Sequence, residues 1–224
     1  MTVVVITGTS KGLGLELAKY YLDSGATVIG ISRSQPPIHH AKYHHCTADI
    51  MLESSVAVLK QFVESLGIAN INLVINNAGS GSYGNHLSDS EPKEVLDQVN
   101  LHCVGALRVT KAAQGFIGSS KIVNVTSRLG SIYQNERGDF SGKNYSYGYR
   151  IAKCAQNMLS LCMADDPELA SAIILSVNPG LLRTDSGSED AEKSAVEGAN
   201  KLVSVITAAS TSGIYHAFGD EACY

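Results

Sequence analysis

Apolar runs and amphipathic stretches alternate along the chain. Val3 to Thr7 is a short continuous apolar run, followed by Leu13, Leu17, Ala18, Tyr21 and Leu22 at helical spacing, with Gly25 placed to end that helix. The same pair of signals recurs. Thr27 to Ser32 reads as a second strand and Tyr43 to Ala48 as a more polar third. A helix follows, with Val56, Leu59, Phe62, Val63 and Leu66 on one stripe, and then the strand "INLVIN". A long helix is predicted from about Pro92, suited to a first helical turn, to Gly115. After it come strand "KIVNVTS", a helix from Tyr145 to Met163, strand "AIILSVN", a helix from Ala191 to Ala208 and a last strand "GIYHAF". Buried strands alternating with amphipathic helices predict an α/β fold with a doubly wound, mostly parallel sheet of seven strands flanked by helices.

Composition narrows the picture. The 224 residues suit one domain, and no repeat, low-complexity segment or linker divides them. A net charge of -4 gives none of the basic footprint that nucleic-acid binding needs. No apolar run reaches the length of a membrane span and the first strand begins at once, so a cytoplasmic protein is expected. Cys46, Cys103, Cys154, Cys162 and Cys223 are odd in number and show no CxxC pair, which argues for reduced structural thiols. His39, His40, His44, His45 and Cys46 cluster in "HHAKYHHC", but alternating strand positions face opposite ways, so no metal site is expected.

The chemistry begins after the first strand, in "TGTSKGLG". In a doubly wound sheet this turn is the usual phosphate cradle. Gly8, Gly12 and Gly14 are spaced G-x-x-x-G-x-G, which fits neither the P-loop nor the GxGxxG pattern, although the glycines and the following helix N-terminus suit a pyrophosphate. Further on stand "NNAG" at Asn76 to Gly79, Asn100 within the long helix, Ser127 at the end of "NVTS", Tyr149 and Lys153 four residues apart, and "NPGLLRTD". A helical spacing of four puts Tyr149 and Lys153 on one face. A hydrolase built on Ser127 is disfavoured, since "NVTSRLG" lacks the G-x-S-x-G elbow.

Taken in this order, these motifs resemble the short-chain dehydrogenase/reductase family, over nearly the whole chain. The wording "SRLGSI" with "YGYRIAK" is similar to the branch of carbonyl reductases and C-signal-type proteins. The resemblance implies a Rossmann fold and hydride transfer between a nicotinamide and a carbonyl or secondary alcohol. It makes Tyr149 the proton donor or acceptor, with Lys153 lowering its pKa and bonding the nicotinamide ribose. Ser127 would hold the substrate oxygen, and Asn100 would position a water that relays protons to Lys153.

The resemblance also assigns the cofactor site. Gly8, Ser10, Lys11, Gly12, Leu13 and Gly14 form the phosphate turn, Asp49 and Ile50 the adenine contact, and Asn77, Ala78 and Gly79 the support beside the cofactor. Pro179, Gly180 and Thr184 follow the last motif, and residues 181–196 stand where the family carries its substrate lid, here short, polar and acidic. Lys11 and Arg33 match the family positions that favour the 2′-phosphate, and Ser32 stands where NAD-preferring members carry a carboxylate. NADP(H) is therefore expected over NAD(H), carbonyl reduction over alcohol oxidation, and a small carbonyl or alcohol as substrate. A nucleotide-sensing or signalling protein with incidental catalysis is the alternative.

Between Ser127 and Tyr149 lie 21 residues, about a dozen in many members, and the excess in "YQNERGDFSGKN" reads as a surface insertion beside the site mouth. The resemblance allows a homodimer or homotetramer through the helices bearing Asn100 and Tyr149.

Overall fold

The structure, a computed structural model, describes residues 1–81, 84–184 and 191–218. Strands β1 (Val3–Thr7), β2 (Thr27–Ser32), β3 (Tyr43–Thr47), β4 (Ile71–Asn76), β5 (Ile117–Val125) and β6 (Ile173–Asn178) are followed by the short β7 (Leu182–Arg183) and β8 (Lys193–Ser194), and then by β9 (Gly213–His216). Helices α1 (Gly12–Asp23), α2 (Ser55–Ser65), α3 (Pro92–Val99), α4 (Gly105–Ala113), α5 (Ile132–Glu136), α6 (Tyr147–Asp165) and α7 (Ala195–Ala208) run between them.

Seven strands pair in the order β3-β2-β1-β4-β5-β6-β9, every pairing parallel. The chain leaves β1 toward β2 and β3, then returns to build outward from β4. The loops after β1 and β4 therefore diverge, and such a switch point opens a crevice at the carboxyl ends of the strands.

Alternation along each strand supplies two layers of core. Val4 and Ile6 of β1 join Leu17 and Leu22 of α1 and Leu202 and Ile206 of α7 on one face. Val3 and Val5 join Leu59 and Val63 of α2, Val109 of α4 and Met163 of α6 on the other. Burial on both faces is why these strands read as unbroken apolar runs.

The expected helix from Pro92 to Gly115 is interrupted. Asn100–Val104 form a π turn between α3 and α4, in which the Gly105 N–H reaches back to Asn100 O, and α4 ends at Ala113. A π turn holds one more residue than an α turn and re-aims the side chains beyond it. Strand β5 starts at Ile117, ahead of the expected Lys121, and α6 starts at Tyr147 instead of Tyr145. Lys193–Ser194 pair with Leu182–Arg183 in parallel, so α7 begins only at Ala195, capped by Ser194 with Glu197 in a reciprocal box. Of the expected lid, residues 185–190 lie outside the described residues, as does Cys223.

The insertion after Ser127 is partly internal. It carries α5, capped by the Ser131 side chain, and Phe140, which is buried and packs edge-on against Tyr145. Asn135 fastens it with bonds to Leu129 O and Ser131 O, and Arg150 of α6 bonds Asn135 in turn.

Candidate active site

The crevice is a cavity of about 970 Å³ at the carboxyl ends of the strands. Gly8, Ser10, Lys11, Gly12 and Leu13 form one wall. Gly8 has φ +75°, and a Cβ there would stand 2.9 Å from Ala78 Cα. Gly14 lies outside the lining and serves packing, since a Cβ on it would meet Gly8 O at 2.3 Å and Asn77 Nδ2 at 2.4 Å. Both positions need glycine for close backbone approach. No side chain caps the start of α1, so its first N–H groups face the cavity end as an anion cradle.

The "NNAG" segment is bolted to β1. Asn77 N–H and Ala78 N–H both donate to Thr7 Oγ1, at 2.9 and 2.8 Å, and Asn77 Nδ2 donates to Thr7 O at 2.9 Å. Asn77, Ala78 and Gly79 line the cavity beyond this anchor. Ser32 at the end of β2 with Arg33 after it, and Asp49 and Ile50 after β3, line it on the adjoining side. Pro179, Gly180 and Thr184 close it beyond β6. Asp49 also accepts from Met51 N–H at 3.0 Å, which shapes its own turn. Lys11, Arg33, Arg128 and Lys153 stand against Asp49 as the sole carboxylate among the described lining residues, a balance that suits an anionic ligand.

Ser127, Tyr149 and Lys153 meet on the wall opposite the switch point. Ser127 caps the turn after β5, accepting from Leu129 N–H at 3.2 Å, and its hydroxyl acts on the Tyr149 phenol beside it. Lys153 Nζ stands 5.6 Å from the Tyr149 ring centroid. It donates to Val125 O at 2.8 Å and Gln156 Oε1 at 3.0 Å.

Burial acts on both groups. It pushes Tyr149 above the ordinary phenol value, with the Ser127 hydroxyl pulling the other way, and lowers Lys153 to about 7. Burial thus sets the direction of the Tyr149 shift in this arrangement. Desolvation penalises the phenolate, and two of the ammonium protons are committed elsewhere.

Asn100 stands beside the cavity and not in its lining. Its Nδ2 donates to Met51 O at 3.1 Å, and its Oδ1 accepts from Arg108 Nη1 at 2.7 Å. The π turn carries His102 inward in its place, 5.3 Å from the Tyr149 ring and edge-on to it.

Sequence reasoning also misses the polar chain beneath the site. Asn76 Nδ2 donates to Asn124 Oδ1, Asn124 Nδ2 to Ser160 Oγ, and Ser160 Oγ to Gln156 O, all within 3.0 Å. The signal was there, as polar residues at core-facing positions of β4, β5 and α6. Buried polar groups held in such a chain fix rotamers; here Gln156 in turn holds Lys153. Among the described residues no cluster of three or more His, Cys, Asp or Glu could hold a metal; His45 Nε2 instead lies 3.0 Å from Ser32 Oγ. No helix of the described residues is long and apolar enough to cross a membrane.

The model of the short chain dehydrogenase family matches residues 2–195. C-signal of Myxococcus xanthus is 28% identical over 66% of this chain and 87% of its own. A short-chain dehydrogenase, anuI, of Penicillium roqueforti is 27% identical over 98% of this chain and 94% of its own. The fold superimposes on NADPH-bound carbonyl reductase from chicken fatty liver with a TM-score of 0.86 at 20% identity, over 100% of both chains. A sheet switch point with its glycine turn, a Ser-Tyr-Lys wall facing it and a family match over most of the sequence lead to one conclusion: the chain belongs to the short chain dehydrogenase family.

Proposed function

We propose that the protein is an NADP(H)-dependent oxidoreductase that interconverts a carbonyl and a secondary alcohol, working as a carbonyl reductase, with the chain as one nucleotide-binding unit. The observation that carries this reading is the convergence of Ser127, Tyr149 and Lys153 on the cavity whose far end holds the glycine turn, Lys11 and Arg33. The residues present fit the dinucleotide. The Gly8 turn admits close backbone approach, Lys11 and Arg33 offer cations for a 2′-phosphate, and Ser32 places no carboxylate there. When bound, the nicotinamide supplies the hydride.

The chain's own residues handle the oxygen. Negative charge developing on the substrate oxygen is met by the Ser127 hydroxyl and the Tyr149 O–H, which stand together on the cavity wall. The Tyr149 O–H, protonated at neutral pH, is placed to give its proton to that oxygen in the reductive direction. Lys153 stands beside it as the source of positive charge.

Arg33→Ala is expected to weaken NADPH binding by about 10- to 100-fold, as loss of a charge-assisted bond to phosphate does, and to leave NADH binding unchanged. Fluorescence titration of both nucleotides checks this. An unchanged ratio of the two affinities would remove Arg33 from 2′-phosphate recognition.

A further inference from the structure

His102 lies in none of the motifs used so far, yet it is among the most buried polar side chains of the chain, at 2% exposure. Its ring fills the space above Gly79, where a Cβ would come within 2.5 Å of Cε1 and 3.0 Å of Nδ1. Nε2 lies 3.1 Å from Ser80 O and 3.1 Å from Gln98 Oε1. Both are acceptors, so the ring proton is assigned to Nε2 and Nδ1 carries a lone pair. Nδ1 is buried and has no hydrogen-bond partner, although the residue lines the cavity.

The cation that acts on the ring is Lys153. An ammonium carries three protons, and two of them go to Val125 O and Gln156 Oε1. Lys153 Nζ and the His102 ring both lie against Tyr149, at 5.6 and 5.3 Å from the centroid of its ring. The positive charge of Lys153 also reaches His102, and together with burial it keeps the imidazole neutral, well below its ordinary pKa. A neutral ring is an acceptor and not a proton carrier.

We propose that His102 is a positioning residue whose Nδ1 holds one water, the water donating to Nδ1 and accepting the third proton of the Lys153 ammonium. The proposal rests on the reading of Lys153 as part of the reaction site. A water placed this way hydrates a buried cation, and a hydrogen bond to the charged form favours that form. His102 thus offsets part of the burial that lowers Lys153, and keeps it charged when the phenol must be reprotonated. The titratable groups that face the pair are Tyr149 and Lys153 from α6; its other bonded neighbours, Ser80 and Gln98, are neutral.

The test is the pH profile of kcat/KM for NADPH with 4-nitrobenzaldehyde as probe, in the wild type, His102→Leu and His102→Asn. Loss of the acceptor in His102→Leu moves the alkaline limb down by about one pH unit. His102→Asn, which restores an acceptor, brings it most of the way back. Superimposable wild-type and His102→Leu profiles would overturn the proposal, as would an Asn variant shifted as far as the Leu variant. A second measurement needs neither turnover nor a His102 variant, and so separates failure of this proposal from failure of the enzymatic reading. Imidazole 15N shifts of the full chain should show the Nε2–H tautomer, with an Nδ1 signal that moves in Lys153→Met while Nε2 stays in place. An Nδ1–H tautomer, or an Nδ1 signal indifferent to Lys153→Met, would equally overturn it.

Discussion

Tyr149→Phe is expected to lower kcat/KM for NADPH-dependent carbonyl reduction by about 10²- to 10⁴-fold, the range over which a positioned acid acts. The substitution removes one oxygen and leaves the ring. The ring keeps its edge-on contact with His102 and its place beneath Lys153, so the cavity wall survives. Losing one polar contact costs about 1 kcal/mol of stability, too little to unfold the chain. Nucleotide affinity should change little, because the removed oxygen serves the reacting carbonyl. Tyr147→Phe is the matched control: Tyr147 opens the same helix, is 41% exposed and does not line the cavity, and its variant should retain full activity. Steady-state kinetics of the two variants side by side separate a chemical role from a general disturbance of α6.

Lys153→Met should abolish most of the same activity and also change how stability depends on pH. Burial lowers Lys153 from its unfolded value of 10.5 to about 7 in the folded chain. Between those two values the unfolded state binds more protons than the folded state, so this group makes stability rise with pH across that window. Below pH 7 the whole penalty of charging a buried amine is present, and above 10.5 none of it is. From pH 7 to pH 9 the wild type should therefore gain about 2 kcal/mol relative to Lys153→Met, at 1.36 kcal/mol per pKa unit. The hydrogen bonds lost to Val125 O and Gln156 Oε1 are the same at both pH values, so they drop out of the difference. Urea denaturation at the two pH values measures it. Parallel stability curves would mean that Lys153 is not buried as an amine that charges near neutrality.

The order of strands and helices was legible because both faces of the sheet are covered. Continuous apolar runs such as Val3 to Thr7 have no other use in a chain of this size, and the helices between them carry stripes at the expected spacing. The glycine turn after β1 was legible for a local reason, since only glycine satisfies the close approaches at Gly8 and Gly14. Ser127, Tyr149 and Lys153 were named from the resemblance to the family's motifs, and the structure brings their side chains to one wall.

The place of Asn100 outside the cavity lining has an equally local reason. A periodicity argument assumes 3.6 residues per turn, and a π turn with one additional residue changes which side chain faces the site without altering the apolar pattern around it. His102 was therefore invisible to spacing, although a histidine inside an otherwise apolar helical stripe was a signal. The sign of the Tyr149 shift was not legible either. It depends on whether a neighbouring cation outweighs desolvation, and spacing along the chain does not report how deeply the phenol is buried. Phe140, inside an apparently polar insertion, became core because Tyr145 and the segment around α5 enclose it.

The measurement that tests the central claim most directly is oxidation of NADPH, with NADH in parallel, by the full chain against a panel of aldehydes, ketones and quinones, with Tyr149→Phe run alongside. Turnover that requires NADPH and is lost in the variant is the predicted result. Tight NADPH binding without turnover on any carbonyl, or turnover that Tyr149→Phe leaves intact, would contradict it.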